Sequence, residues 1–375
     1  MSNYQYIYFA AVDKPLDDNE FEFMAEQSTR AALTRWEFQN EYHFGDFHGD
    51  SLEMMRTGFD VHLHYANFGV RKLMFRLPMG LPVSAKEFKA FAVENEFVWK
   101  KDKRGKGGVL SIQPESDGDE FAWGYVEFDG LVAQLPKIRE ALIAGDTRPL
   151  YLGWLACAWD GDALEPPVPA GLNKLSPSLS KLASFYEMDQ DLLEAISEKS
   201  AKLPRQSVVN ELSVDDWLEQ QSSEMLRSLL RRVLQEDPAA VRAESLAAMR
   251  NQAGKSVWPA TPGSRTLEEI YDLASVKEDQ REKRELASEQ RKRTKRLAIL
   301  REDPMAAIAK VERLVQTRRR ANYAEAAKLL AELREAVGGV EGERLADKVA
   351  SRIVTEYPTL HSLKRAFQDE GLSYR

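Results

Sequence analysis

The stretch FDVHLHYANFGVRKLMFRLP, residues 59–78, decides how the front of this chain folds. It joins two runs rich in aromatic, β-branched and leucine side chains, FDVHLHYANF and VRKLMFRLP, through a bend at Asn67–Gly69. Glycine and asparagine tolerate the backbone angles of a tight reversal, so the two runs read as paired strands. Side chains alternate along a strand, which places His62 and His64 on one face about 7 Å apart.

Outward from this pair the same alternation recurs. YQYIYFAAV near the start reads as a strand, and RWEFQNEYHF alternates Trp36, Phe38, Asn40, Tyr42 and Phe44 as a half-buried one. Between the strands lie helix signals: DDNEFEFMAEQSTRAAL with Asp17 or Asp18 as N-cap, and DSLEMMRTG with Asp50 as cap and Gly58 as stop. Downstream, SAKEFKAFAVE opens with Ser84 and Glu87 in capping-box spacing and predicts another helix. EFVWKKDKRGKGGVLSIQPE reads as a hairpin with a polar tip at 102–108. That tip is basic and glycine-rich, but it lacks the spacing and strand-loop-helix context of a phosphate-binding loop. Repeated switching between periods of 2 and 3.6 through residue 165 predicts an α+β domain, one antiparallel or mixed sheet with packed helices.

Residues 166–178 are rich in Pro and Gly and read as a linker, after which the strand signal fades. The expected order is then a helical region over 179–265, a long charged connecting helix over 266–302 and a helical bundle over 303–375. SVDDWLEQQSSEMLRSLLRRVLQED reads as one helix capped by Ser213. VLQEDPAAVRAESLAAMR and ILREDPMAAIAKVERLVQ echo each other through an Asp cap followed by Pro, which suits a duplicated helical unit.

The net charge of −8 is unevenly spread: residues 1–165 carry 17 Lys and Arg against 27 Asp and Glu. The segment 277–301 reverses the balance, with 10 basic and 5 acidic residues. One cysteine, Cys157, excludes an internal disulfide, and its apolar surroundings suggest a buried thiol. The longest apolar stretch, LYLGWLACAW, is half a membrane span, and the first residues lack a basic n-region with a cleavage pattern. A cytoplasmic protein with no membrane attachment is therefore expected.

Two stretches carry resemblances. STRAALTRWEFQNEYHFGDFHGD, FDVHLHYANFGVRKLMFRLP and YLGWLACAWDGDALEPPVPAGL resemble a group of uncharacterised bacterial proteins over about residues 4–200. That likeness implies a bacterial source and a shared front domain, and it transfers no catalytic residue. NYAEAAKLLAELREA with PTLHSLKRAFQDEGL is similar to the helical C-termini of bacterial SWIM zinc-finger proteins. Zinc binding does not follow from it, because one cysteine cannot supply that family's ligands. A helical tail that docks to a partner does follow.

Two clusters could carry chemistry. His43, His62 and His64 offer three imidazoles for a metal if a neighbouring strand brings His43 alongside the pair, or for proton handling, or they form only an aromatic-polar wall. On the basic helix 281–301, residues Arg291, Lys292, Arg293, Lys295 and Arg296 could meet nucleic-acid phosphates or an acidic protein surface. Aromatic residues do not interleave with them, and Glu278, Glu282, Glu285 and Glu289 sit at spacings that support an exposed helix. The reading these features favour is a non-enzymatic bacterial adaptor with a protein partner and no cofactor. The alternatives are a metal-binding protein or enzyme built on the histidines, and a nucleic-acid-associated protein using the basic helix.

Overall fold

The computed structural model describes residues 4–43, 45–78, 85–102, 107–115, 128–203, 214–235, 241, 245, 248–249 and 258–374. It is α+β: an antiparallel seven-stranded sheet with helices, then an all-helical region. The expected pair is present as β4 (Val61–Ala66) and β5 (Val70–Pro78), with His62 opposite Met74 and His64 opposite Lys72. Gly69, at φ 102°, makes the bend. With β1 (Gln5–Ala10), β2 (Ala32–Leu33), β3 (Glu37–Tyr42), β6 (Phe97–Lys101) and β7 (Gly107–Ile112), the order across the sheet is β2-β3-β1-β4-β5-β7-β6. The tip of the β6–β7 hairpin, 103–106, lies outside the described residues.

Each face of the sheet is apolar and each is covered. On one, Ile7, Phe9, Phe38 and Met74 meet Met24 of α1 (Asp18–Gln27) and Met54 and Met55 of α2 (Ser51–Thr57). Both helices start as read. Asp17 and Glu20 form a reciprocal capping box, and Asp50 accepts from the amides of Leu52 and Glu53. The SAKEFKAFAVE helix is shorter than expected, because α3 (Ala85–Phe88) gives way to a turn that pairs Val93 with Phe97; Ser84 lies outside the described residues.

The opposite face carries Tyr6, Tyr8, Leu63, Phe75 and Ile112. After α4 (Asp129–Val132), helices α5 (Leu135–Ile143), α6 (Arg148–Cys157) and α7 (Pro177–Phe185) pack there. Gly153 of α6 lets the helix approach closely: a Cβ there would lie 3.0 Å from Phe97 and 3.2 Å from Ile112.

The expected linker is a correction. Val168, Ala170 and Leu172 are buried, and Val168 and Leu172 belong to this core. Val168–Pro169 is a strand, β8, paired with β9 (Ala260–Thr261), so the region expected to be purely helical sends a strand back to the front domain. Proline and glycine shape an irregular path here, while the apolar residues between them still need burial. The helices α8 (Gln190–Ser197), α9 (Val214–Glu219) and α10 (Ser223–Gln235) follow. The single helix expected after Ser213, itself outside the described residues, is two, broken where Ser222 accepts from the Met225 amide and restarts the chain. The first copy of the sequence echo falls largely outside the described residues.

The compact units divide between Lys277 and Glu278, inside α11 (Leu267–Glu302), not near residue 166. In the first unit, Leu267 and Ile270 join the core and Lys277 pairs with Glu198 at 2.6 Å. In the second, Asp303 caps α12 (Pro304–Gln316), and α13 (Arg320–Val337), α14 (Gly339–Glu356) and α15 (His361–Asp369) close a separate core around Val311, Leu330, Leu333, Ile353 and Phe367.

Candidate functional site

The sheet separates the three histidines. Gln5 of β1 lies opposite both Tyr42 of β3 and Ala66 of β4, so Tyr42, His62 and His64 share the face of Ile7 and Phe9. His43 follows Tyr42 by one residue and emerges on the other side, beside Tyr4 at 5.5 Å between ring centroids. Among the described residues no group of three His, Cys, Asp or Glu could hold a metal ion.

His62 is fully buried and stacks on Phe9 at 3.9 Å. Its Nδ1 lies 3.0 Å from the Tyr8 carbonyl, which only accepts, so the proton sits on Nδ1. Burial, with Lys72 and His64 nearby, holds its pKa well below the ordinary imidazole value. His64 is pushed to about 4 by burial and Lys72, against the opposing pull of Asp46. Its Nε2 donates to Gln5 Oε1 at 3.0 Å, while Gln5 Nε2 donates to Asp46 Oδ1 at 2.7 Å. Two neutral rings held this way form a wall.

Buried charges elsewhere were invisible as clusters in the sequence. Asp60 accepts from the amides of Val12 and Asp13 at 2.7 and 2.9 Å, and from Arg76 and Arg139 at 2.8 and 3.2 Å. Arg139 also forks onto Asp13 at 2.9 and 2.5 Å. A second knot joins Glu165 to Arg265 at 2.5 Å and to the Tyr151 hydroxyl at 2.5 Å, while Arg265 donates to the Ala195 carbonyl at 2.8 Å. These groups spend their polar atoms on one another and pin distant segments together; they are architecture.

An exposed apolar feature of the first unit surrounds Trp159. Helix α6 ends at Cys157, and Ala158 turns to extended backbone at ψ 127°, which swings Trp159 outward to 77% exposure. A turn follows in which Asp160 accepts from the Asp162 and Ala163 amides, and Leu164 emerges 74% exposed before Glu165 returns to the core. Trp159 borders two hollows. One, about 750 Å³, is lined by Trp154 and Leu164 together with Glu94, Glu96, Glu115 and Asp160. The other, about 580 Å³, has Tyr271, Asp160, Asp162 and Glu268. No Lys or Arg lines either one among the described residues.

Glu96 sits at the inner wall, 8% exposed, and accepts from the Glu115 amide at 3.1 Å. Burial and the Glu115 charge raise its pKa, against that amide. The apolar stretch LYLGWLACAW runs through Trp159 in the sequence, but the helix ends at Cys157. The signal that it stops earlier was the Asp160-Gly161-Asp162 turn immediately after.

The basic run divides as well. Arg293 and Arg296 pair with Glu335 and Glu332 of α13, each at 2.7 Å, while Arg291, Lys292 and Lys295 are exposed. Comparison of the chain with protein-family models, with curated proteins and with solved structures finds no match.

Proposed function

We propose that this chain is a docking protein of the bacterial cytoplasm that works by binding another macromolecule through its first unit. The observation that carries the reading is Trp159, a large aromatic standing in solvent between two hollows. Covering the exposed apolar surface of Trp159, Leu164 and Tyr271 with a partner releases it from water, and tryptophans of this kind dominate binding energy at protein interfaces. The folded surroundings support it, since the Trp159 turn is bracketed by α6 and the Glu165–Arg265 knot, a rigid mount that needs little ordering on binding. Catalysis has less support: the histidines are divided by the sheet and the buried ion pairs are saturated.

The test is affinity capture from native lysate with the wild-type chain and with Trp159→Ser. A stoichiometric partner retained by the first and lost by the second is expected. Recovery of the same proteins by both, or of none by the wild type, overturns the reading.

A further inference from the structure

We propose that the two hollows beside Trp159 receive a basic segment of a partner protein, with an Arg or Lys entering each hollow and a guanidinium or ammonium lying against the indole. This rests on the docking reading and adds the chemistry of the occupant. The argument is charge complementarity on a defined shape. Glu94, Glu96, Glu115 and Asp160 line the first hollow and Asp160, Asp162 and Glu268 the second, with no basic residue in either lining among the described residues.

Such a concentration of like charge repels itself, and a cation brought between the carboxylates relieves the repulsion. Glu96, 8% exposed, adds an anion whose attraction for a cation is screened less than that of the surface carboxylates around it. Trp159 presents an aromatic face at the junction, the arrangement that attracts guanidinium and ammonium groups. Leu164 and Trp154 supply apolar walls for the methylene stems of those same side chains. Nucleic acid is disfavoured here by the same charge, since its phosphates would meet carboxylates and no Lys or Arg among the described lining residues. A peptide is favoured over a lone inorganic cation because two hollows share Trp159 in their lining, a pair of sites that a chain with spaced basic residues can occupy together.

The probe is a fluorescein-labelled decapeptide with Arg at every third position, compared by anisotropy with its counterpart carrying Glu for Arg. The Arg peptide is expected to bind the full chain and to weaken as salt rises, whereas the Glu peptide is expected not to bind. Trp159→Ser, and separately the double change Glu96→Gln with Glu115→Gln, are each expected to weaken binding about tenfold. Glu26→Gln on α1, which packs against the other face of the sheet, is expected to leave binding unchanged.

Equal binding of the two peptides, no binding of either, or equal weakening by Glu26→Gln overturns the inference. Sedimentation of the chain alone supplies another arm: a salt-sensitive dimer abolished by Trp159→Ser would mean that a second copy occupies the hollows, and would also overturn it. Should the Arg peptide fail while lysate capture still depends on Trp159, only the chemistry of the occupant falls. Loss of both dependences takes the docking reading with it.

Discussion

Asp60 stays ionised in the core because Arg139, Arg76 and two amides outweigh the burial that would otherwise raise its pKa, leaving it below the ordinary carboxylate value. Removing one partner of such a group is costlier than removing both. Arg139→Met is therefore expected to destabilise the first unit by about 3–5 kcal/mol, and Arg139→Met with Asp60→Asn by less than the sum of the single changes, in a denaturant double-mutant cycle. The histidines give a pH signature of known sign. His62 and His64 have depressed folded pKa values, so between the ordinary value of 6.5 and about 4 the unfolded chain takes up protons that the folded chain refuses. Falling pH in that window should lower stability by up to about 1.4 kcal/mol per unit for each ring. Denaturant midpoints at pH 7 and 5 check this, and His62→Phe with His64→Gln should flatten the difference. The sequence made the His62–His64 pair legible through strand parity. It could not show that parity sends His43 to the far side, because that depends on which residue of β1 faces Tyr42.

Elements were most legible where a cap and a period agreed, as at Asp17, Asp50 and Asp303. They were least legible where a helix signal met a competing turn, as after Phe88 and at Ser222. Helix α6 shows what packing adds, since Gly153 is needed there for contact with Phe97 and Ile112 and not for flexibility. Gly153→Val should cost about 1–3 kcal/mol by overpacking, measured by chemical denaturation. The basic helix was read for its charge density, yet Arg293 and Arg296 serve contacts to α13. Changing both to Gln should leave the denaturant midpoint of the second unit nearly unchanged, because solvent screens pairs this exposed. If the helix bound nucleic acid, changing Arg291, Lys292 and Lys295 to Gln would flatten the salt dependence of that binding. The docking reading expects no such binding to flatten in an electrophoretic shift assay.

At the scale of the molecule, two units with separate cores should respond separately to core mutations. Phe75→Ala is expected to lower one calorimetric transition and Leu330→Ala the other, each by about 2–5 kcal/mol, and a single transition shifted by both would contradict independent cores. The sequence by itself determined the α+β class, the paired strands at 59–78, the caps that start helices and the charged helix late in the chain. All of these follow from local periodicity and from side chains acting on their own backbone. The tertiary structure alone decided that Val168 and Leu172 of the 166–178 stretch join the core, that the units part within α11, and that Trp159 stands outside while Asp60 and Arg139 lie within. Those outcomes depend on contacts between residues far apart in the chain, and alternation or hydrophobicity along a segment carries no record of what will be packed against it.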